Sequence, residues 1–105
     1  MSYVLGNIPK QFVISVTLTP VAVAQATTAE QTFTVNGLQV GDHVVVNKPT
    51  AQAGLGIVGA RVSAANTLAI TYCNVPAGGD ITPTAGEVYM VLVSRKDRTI
   101  TDALF

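Results

Sequence analysis

The chain has 105 residues, 49% of them hydrophobic and only 11% charged, with six basic and six acidic side chains and no net charge. That length suits one domain able to bury a core without a disulfide or a metal, while the charged fraction lies well under the roughly 25% of an ordinary soluble domain. Sparse, balanced charge excludes nucleic acid as the main partner, because phosphate neutralisation needs clustered Lys and Arg, and apolar runs of a few residues fall short of the roughly 20 a membrane-crossing helix needs. The composition therefore points to a surface much of which meets other protein.

Residues 1–11 contain Gly6, Asn7 and Pro9 and show no helical period. They read as an N-terminal arm whose docking contacts are Tyr3, Val4 and Leu5. MSYVLGNIPK has no basic segment followed by a long apolar core, so no secretory signal is expected, and synthesis and assembly in a cytoplasm are. Phe12 to Leu18 then alternates, with Phe12, Ile14, Val16 and Leu18 on one face and Val13, Ser15 and Thr17 on the other, the period of a strand. Pro20 has no N–H and marks an edge or a break. Val21 to Gln25 is read as a further strand with Val21 and Val23 inward, and Ala26 to Glu30 as a polar connection. Ala content alone would allow a helix over Ala22 to Gln31, but β-branched Thr27 and Thr28 oppose it.

Gln31 to Val35 is predicted as a strand with Phe33 and Val35 inward and Thr32 and Thr34 outward. Asn36-Gly37 and Gly41-Asp42 are turn signals. His43 to Asn47 is a Val-rich strand, and Lys48 to Leu55 a loop broken by Pro49 and Gly54. The clearest local pattern follows, LGIVGARVSAANTLAITYCN, two strands around an Ala65-Asn66 turn, with Asn66 suited to the left-handed conformation. The pairing is expected to bury Val58, Val62, Leu68 and Ile70 and to leave Arg61 outward. Cys73, the single cysteine, is expected as a small buried hydrophobe. Val75 to Gly86 is a loop from which Ile81 touches the core. Glu87 to Ser94 is the last strand, apolar on both sides: Tyr89, Val91 and Val93 against Val88, Met90 and Leu92. A strand apolar on both faces is covered on both faces, so Val88, Met90 and Leu92 are the candidate oligomer interface. Arg95 to Phe105 reads as a C-terminal arm, with Arg95, Lys96, Arg98, Leu104 and Phe105 as its contacts.

About seven short strands with frequent turns and no convincing helix predict an all-β fold, an antiparallel β-sandwich or a jelly-roll-like barrel. Residues 12–94 form its body, and residues 1–11 and 95–105 form extended arms.

Chemical motifs are weak. One His and one Cys exclude a His/Cys metal site within a chain. Asp42 and His43 are neighbours that face opposite sides of a strand, so they read as a turn Asp beside an exposed His and not as part of a triad. The six carboxylates form no spaced pair for glycosidase work, and Asp80 alone is far from the about six to eight oxygens calcium takes. Gly54-Leu55-Gly56-Ile57-Val58-Gly59 matches G-x-G-x-x-G, but a strand pattern follows where a dinucleotide site needs a helix. These glycines are expected to serve a bulge or a tight backbone approach. No catalytic residues, cofactor or metal are predicted, and the chain reads as no enzyme.

Three segments, TFTVNGLQVGDHVVVNKP, GLGIVGARVSAANTLAITYCN and Thr82-Pro83-Thr84-Ala85-Gly86, resemble those of small all-β virion proteins of tailed phages. That family includes capsid decoration, or cement, proteins and β modules of other virion parts. The resemblance implies a homotrimer on the outside of a capsid, with itself and the major capsid protein as partners. Its expected location is the virion surface after synthesis in the host cytoplasm. The alternative it leaves open is a virion-associated binding module, part of a tail or fibre, that attaches to a host glycan or receptor.

Overall fold

The computed structural model describes residues 10–76 and 78–95, and among them there is no helix. Six strands run β1 Lys10–Leu18, β2 Thr27–Thr34, β3 His43–Asn47, β4 Leu55–Ala64, β5 Thr67–Asn74 and β6 Glu87–Arg95. They form two three-stranded sheets, ordered β1-β6-β3 and β2-β5-β4, and every pairing is antiparallel. The protein is an all-β sandwich of two open sheets, so the barrel alternative is set aside. Only β4 and β5 are joined as a hairpin; every other connection passes from one sheet to the other. β3 lies against β4, which leaves β1 and β2 on the opposite side of the sandwich.

Alternation builds the core. Tyr89, Val91 and Val93 of β6 and Leu68, Ile70 and Tyr72 of β5 all point between the sheets and are fully or almost fully buried. Phe12, Ile14 and Val16 of β1 and Val44 and Val46 of β3 pack beside them. The phenol oxygens of Tyr72 and Tyr89 meet at 3.0 Å and join the central strands of the two sheets. A buried phenol finds a partner because an unpaired one is costly. Burial, with that hydrogen bond, pushes the Tyr72 pKa far above the ordinary tyrosine range.

The Ala65-Asn66 turn is where the sequence placed it, and Asn66 is left-handed, with φ 59°. Its Oδ1 accepts from the Gly37 N–H at 2.8 Å. Its N–H donates to Leu38 O, and its C=O accepts from the Val35 N–H, both at 2.9 Å. One turn thus anchors the crossing from β2 to β3. Gly54, with φ +80°, is the tight approach foreseen for the glycine cluster: a Cβ there would lie 2.8 Å from the Pro76 ring.

Several expectations are corrected. Val58 is 61% exposed, because pairing jumps from Ile57↔Tyr72 to Gly59↔Thr71. Val58 is the extra residue of a bulge, and the parity of the strand changes there, so Ile57 packs on the core and Val58 does not. Val21 to Gln25 is no strand: only Val23 bridges, to Ile81, and Val21 is exposed. Pro20 precedes the segment, and Ala26, with φ 52°, reverses the chain after it. Six strands, not seven, therefore lie among the described residues. β2 begins at Thr27, so the supposed polar connection is largely sheet. Lys10 and Gln11 belong to β1, paired with Arg95 and Ser94. Cys73 is half-buried on the outer side of β5 and is no core residue.

Candidate assembly face

The inward set on β6 leaves Val88, Met90 and Leu92 on the other side of the strand, where they are 48%, 43% and 38% exposed. The register brings two residues beside them that the sequence reading did not single out. Leu92 is flanked by Val13 of β1 and Val45 of β3, which are 56% and 65% exposed. The next row is Ser15, Met90 and Asn47. The row at the other end is Gln11, Ser94 and His43, where Gln11 Nε2 donates to Ser94 Oγ at 2.9 Å. Among the described residues no Asp, Glu, Lys or Arg projects from this face. A contiguous apolar patch with a polar rim is the form protein-binding surfaces take. The signal for Val13 and Val45 lay in the alternation of β1 and the Val44-Val45-Val46 run, but only pairing through β6 sets them side by side.

Arg95, expected in the C-terminal arm, is instead the last residue of β6 and is held at three points. Its Nε donates to Asp42 Oδ1 at 2.8 Å, and its second terminal nitrogen to Asp42 Oδ2 and Gly37 O, each at 2.7 Å. The guanidinium also lies 5.1 Å from the Phe12 ring centre, within cation–π range. The cause is register: Arg95 pairs with Lys10 and reaches the turn that ends at Asp42. That turn is closed by Asp42 N–H to Gln39 O and by Gln39 N–H to Asp42 Oδ2, the role foreseen for Asp42, and His43 beside it is exposed. The Arg95 hydrogen bonds hold the Asp42 carboxyl below its ordinary pKa. Tyr3, Val4, Leu5, Lys96, Arg98, Leu104 and Phe105 lie outside the described residues. Lys10 and Arg95, the first and last described residues, are partners in the sheet.

Two further polar clusters stand away from this face. Glu87 binds Lys48 Nζ at 2.9 Å, both side chains about nine-tenths buried, and accepts from Thr50 Oγ1 at 2.5 Å. Thr50 and Lys48 together hold its carboxyl below the ordinary pKa. Lys48 also donates to the Thr50 carbonyl and hydroxyl. This cluster borders a pocket of about 220 Å³ lined by Val46, Leu55, Ile57, Thr50 and Gln52 among others. Gln52 is itself engaged, through Thr82 O and Thr84 N–H. The polar side chains lining the pocket, Lys48, Thr50 and Gln52, are thus engaged with other protein groups, and the cluster fastens the loop before β4 to the start of β6. On the second sheet, Arg61 points outward as expected and makes a bidentate pair with Glu30, at 2.8 and 2.9 Å. The pair crosses β5 and covers Ala69, which has no exposed surface. Among the described residues no group of three or more His, Cys, Asp or Glu is placed to hold a metal ion.

No family model, curated protein or solved structure matches the chain.

Proposed function

We propose that this chain is a structural virion protein, a capsid decoration or cement protein that docks on the outside of a phage shell and stabilises it. The observation that carries the reading is the uncharged apolar outer face of the β1-β6-β3 sheet, centred on Val13, Leu92 and Val45. Covering that face removes apolar surface from water, worth about 25 cal/mol per Å² before the costs of association. Lys10 and Arg95 are partners at one end of this sheet, and in this reading the terminal arms that continue from them add contacts to the same docking event. Their apolar tips, Tyr3-Val4-Leu5 and Leu104-Phe105, suit segments that order on binding. The role is passive and uses no catalytic group: contacts made only on the assembled shell favour the assembled state by mass action. Val88, Met90 and Leu92 of the central strand belong to this same face.

The alternative, a glycan- or receptor-binding module, needs aromatic rings on the surface. Tyr72 and Tyr89 are fully buried, and Phe12 and Phe33 pack on the core, which favours the structural role. The test is the copy number of the chain on purified virions, together with the temperature at which particles with and without it release their contents. Many copies per head and earlier release from bare particles are expected. Absence from heads, or equal heat resistance, overturns the reading, and binding to a glycan array would then put the alternative ahead.

A further inference from the structure

A sheet edge presents unpaired N–H and C=O groups, and proteins ordinarily blunt it with short strands, bulges, charges or a covering segment. Three of the four edges here are blunted. β3 has five residues and lies against β4. β4 is broken by irregularities between Ile57 and Gly59 and between Val62 and Ala64. β2 carries Glu30, and its Gln31 side chain grips the backbone N–H and C=O of Val21 at 2.9 and 2.8 Å. Among the described residues β1 has none of these devices. It runs nine residues, Lys10–Leu18, in unbroken register with β6, with no charge after Lys10 and no proline. Among the described residues no strand pairs with its other edge. Its inward side chains Phe12, Ile14 and Val16 are only partly buried, whereas Tyr89, Val91 and Val93 beside them are fully buried.

We infer that β1 is a pairing edge for a second copy of this chain, the two β1 strands joining antiparallel across a two-fold axis at Ile14. The strand is complementary to itself in that register. Phe12 falls opposite Val16 of the second copy and Ile14 opposite its own counterpart, so inward apolar residues meet inward apolar residues. Val13 falls opposite Ser15 of the second copy, and Lys10 opposite Leu18. The two Lys10 side chains are then about 27 Å apart, eight residues at about 3.4 Å each, and no like charges meet. A foreign strand would have no such constraint to satisfy. The product is a six-stranded sheet, β3-β6-β1-β1-β6-β3, in which the apolar outer faces of two copies become one continuous surface. The arrangement is two-fold, in contrast to the three-fold one the resemblance implies, and it does not depend on what covers that outer surface.

The test uses the full chain in solution, by sedimentation equilibrium and amide hydrogen exchange over a range of concentrations, with two double variants on exposed positions. Val13→Lys with Ser15→Lys sets like charges directly opposite each other twice across the axis. Val13→Lys with Ser15→Glu sets opposite charges there. The expected result is a dimer whose β1 amides become protected as it forms, a loss of about tenfold or more in association for the first variant, and association kept by the second. Packing through the outer face would spare the β1 edge amides and would suffer from both variants alike. A monomer throughout, a trimer, β1 amides protected in the monomer or still exchanging in the oligomer, or equal loss in both variants would each overturn the inference.

Discussion

The two outer faces of this sandwich are built on the same plan and finished differently. On β2-β5-β4 the outward positions carry Thr28, Glu30, Thr32 and Thr34, and the Arg61–Glu30 pair spans the central strand above a small residue, Ala69. On β1-β6-β3 the central strand carries Val88, Met90 and Leu92, with Val13 and Val45 on its flanks, and among the described residues no ion pair crosses them. Both faces lie over the same core, so stability of the fold does not require the difference. A sheet needs one buried face, and the apolar second face of β1-β6-β3 is the ground for the docking proposed above.

Neighbouring residues of β6 break the comparison most sharply. Val91→Asp places an unpaired charge where no solvent reaches, at a cost of about 4 kcal/mol or more, a large share of what a small domain has. Circular dichroism and proton NMR should show an unfolded chain. Met90→Asp, one residue earlier but outward, should leave the unfolding midpoint within about 0.5 kcal/mol of the parent and yet abolish docking on particles. Unfolding by both substitutions, or docking retained by Met90→Asp, would erase the distinction between the faces of β6.

Tyr89→Phe tests what holds the two sheets together. It removes one phenol and leaves Tyr72 buried without its partner, so urea denaturation should show a loss of about 1–3 kcal/mol with the fold unchanged.

Acid should act on the carboxylates paired at the ends of the sandwich and on the second sheet. Asp42, Glu87 and Glu30 are all held below their ordinary values, 3.8 for Asp and 4.5 for Glu. The native state therefore binds fewer protons than the unfolded one in this range. The stability they contribute is fully present above about pH 4.5 and is lost as the pH falls through the depressed native values. Denaturant midpoints should be level from pH 7 to 5 and fall below pH 4, and Asp42→Asn should flatten part of that fall. A midpoint independent of pH down to 3 would remove these pairs from the stability of the fold.

The alternation in Phe12–Leu18, Thr67–Cys73 and Glu87–Ser94 determined the strand class and which residues face the core, because side chains on an extended chain have only two directions. The same rule marked Val88, Met90 and Leu92 as a second apolar side, and Asn66, Asn36-Gly37 and Gly41-Asp42 marked turns. The glycines from Gly54 to Gly59 signalled a bulge, but not that the parity would change at Val58, since the place of a bulge is set only when two strands must pair in one register. The place of Arg95 was not legible, for a sequence shows that residue as the start of a charged tail and the sheet shows it as the neighbour of Asp42, more than fifty residues away. The rows Val13–Leu92–Val45 and Tyr72–Tyr89 were likewise decided by tertiary structure. Periodicity is a property of each strand alone, whereas the order of strands and the meeting of two sheets depend on pairings between residues far apart in the chain.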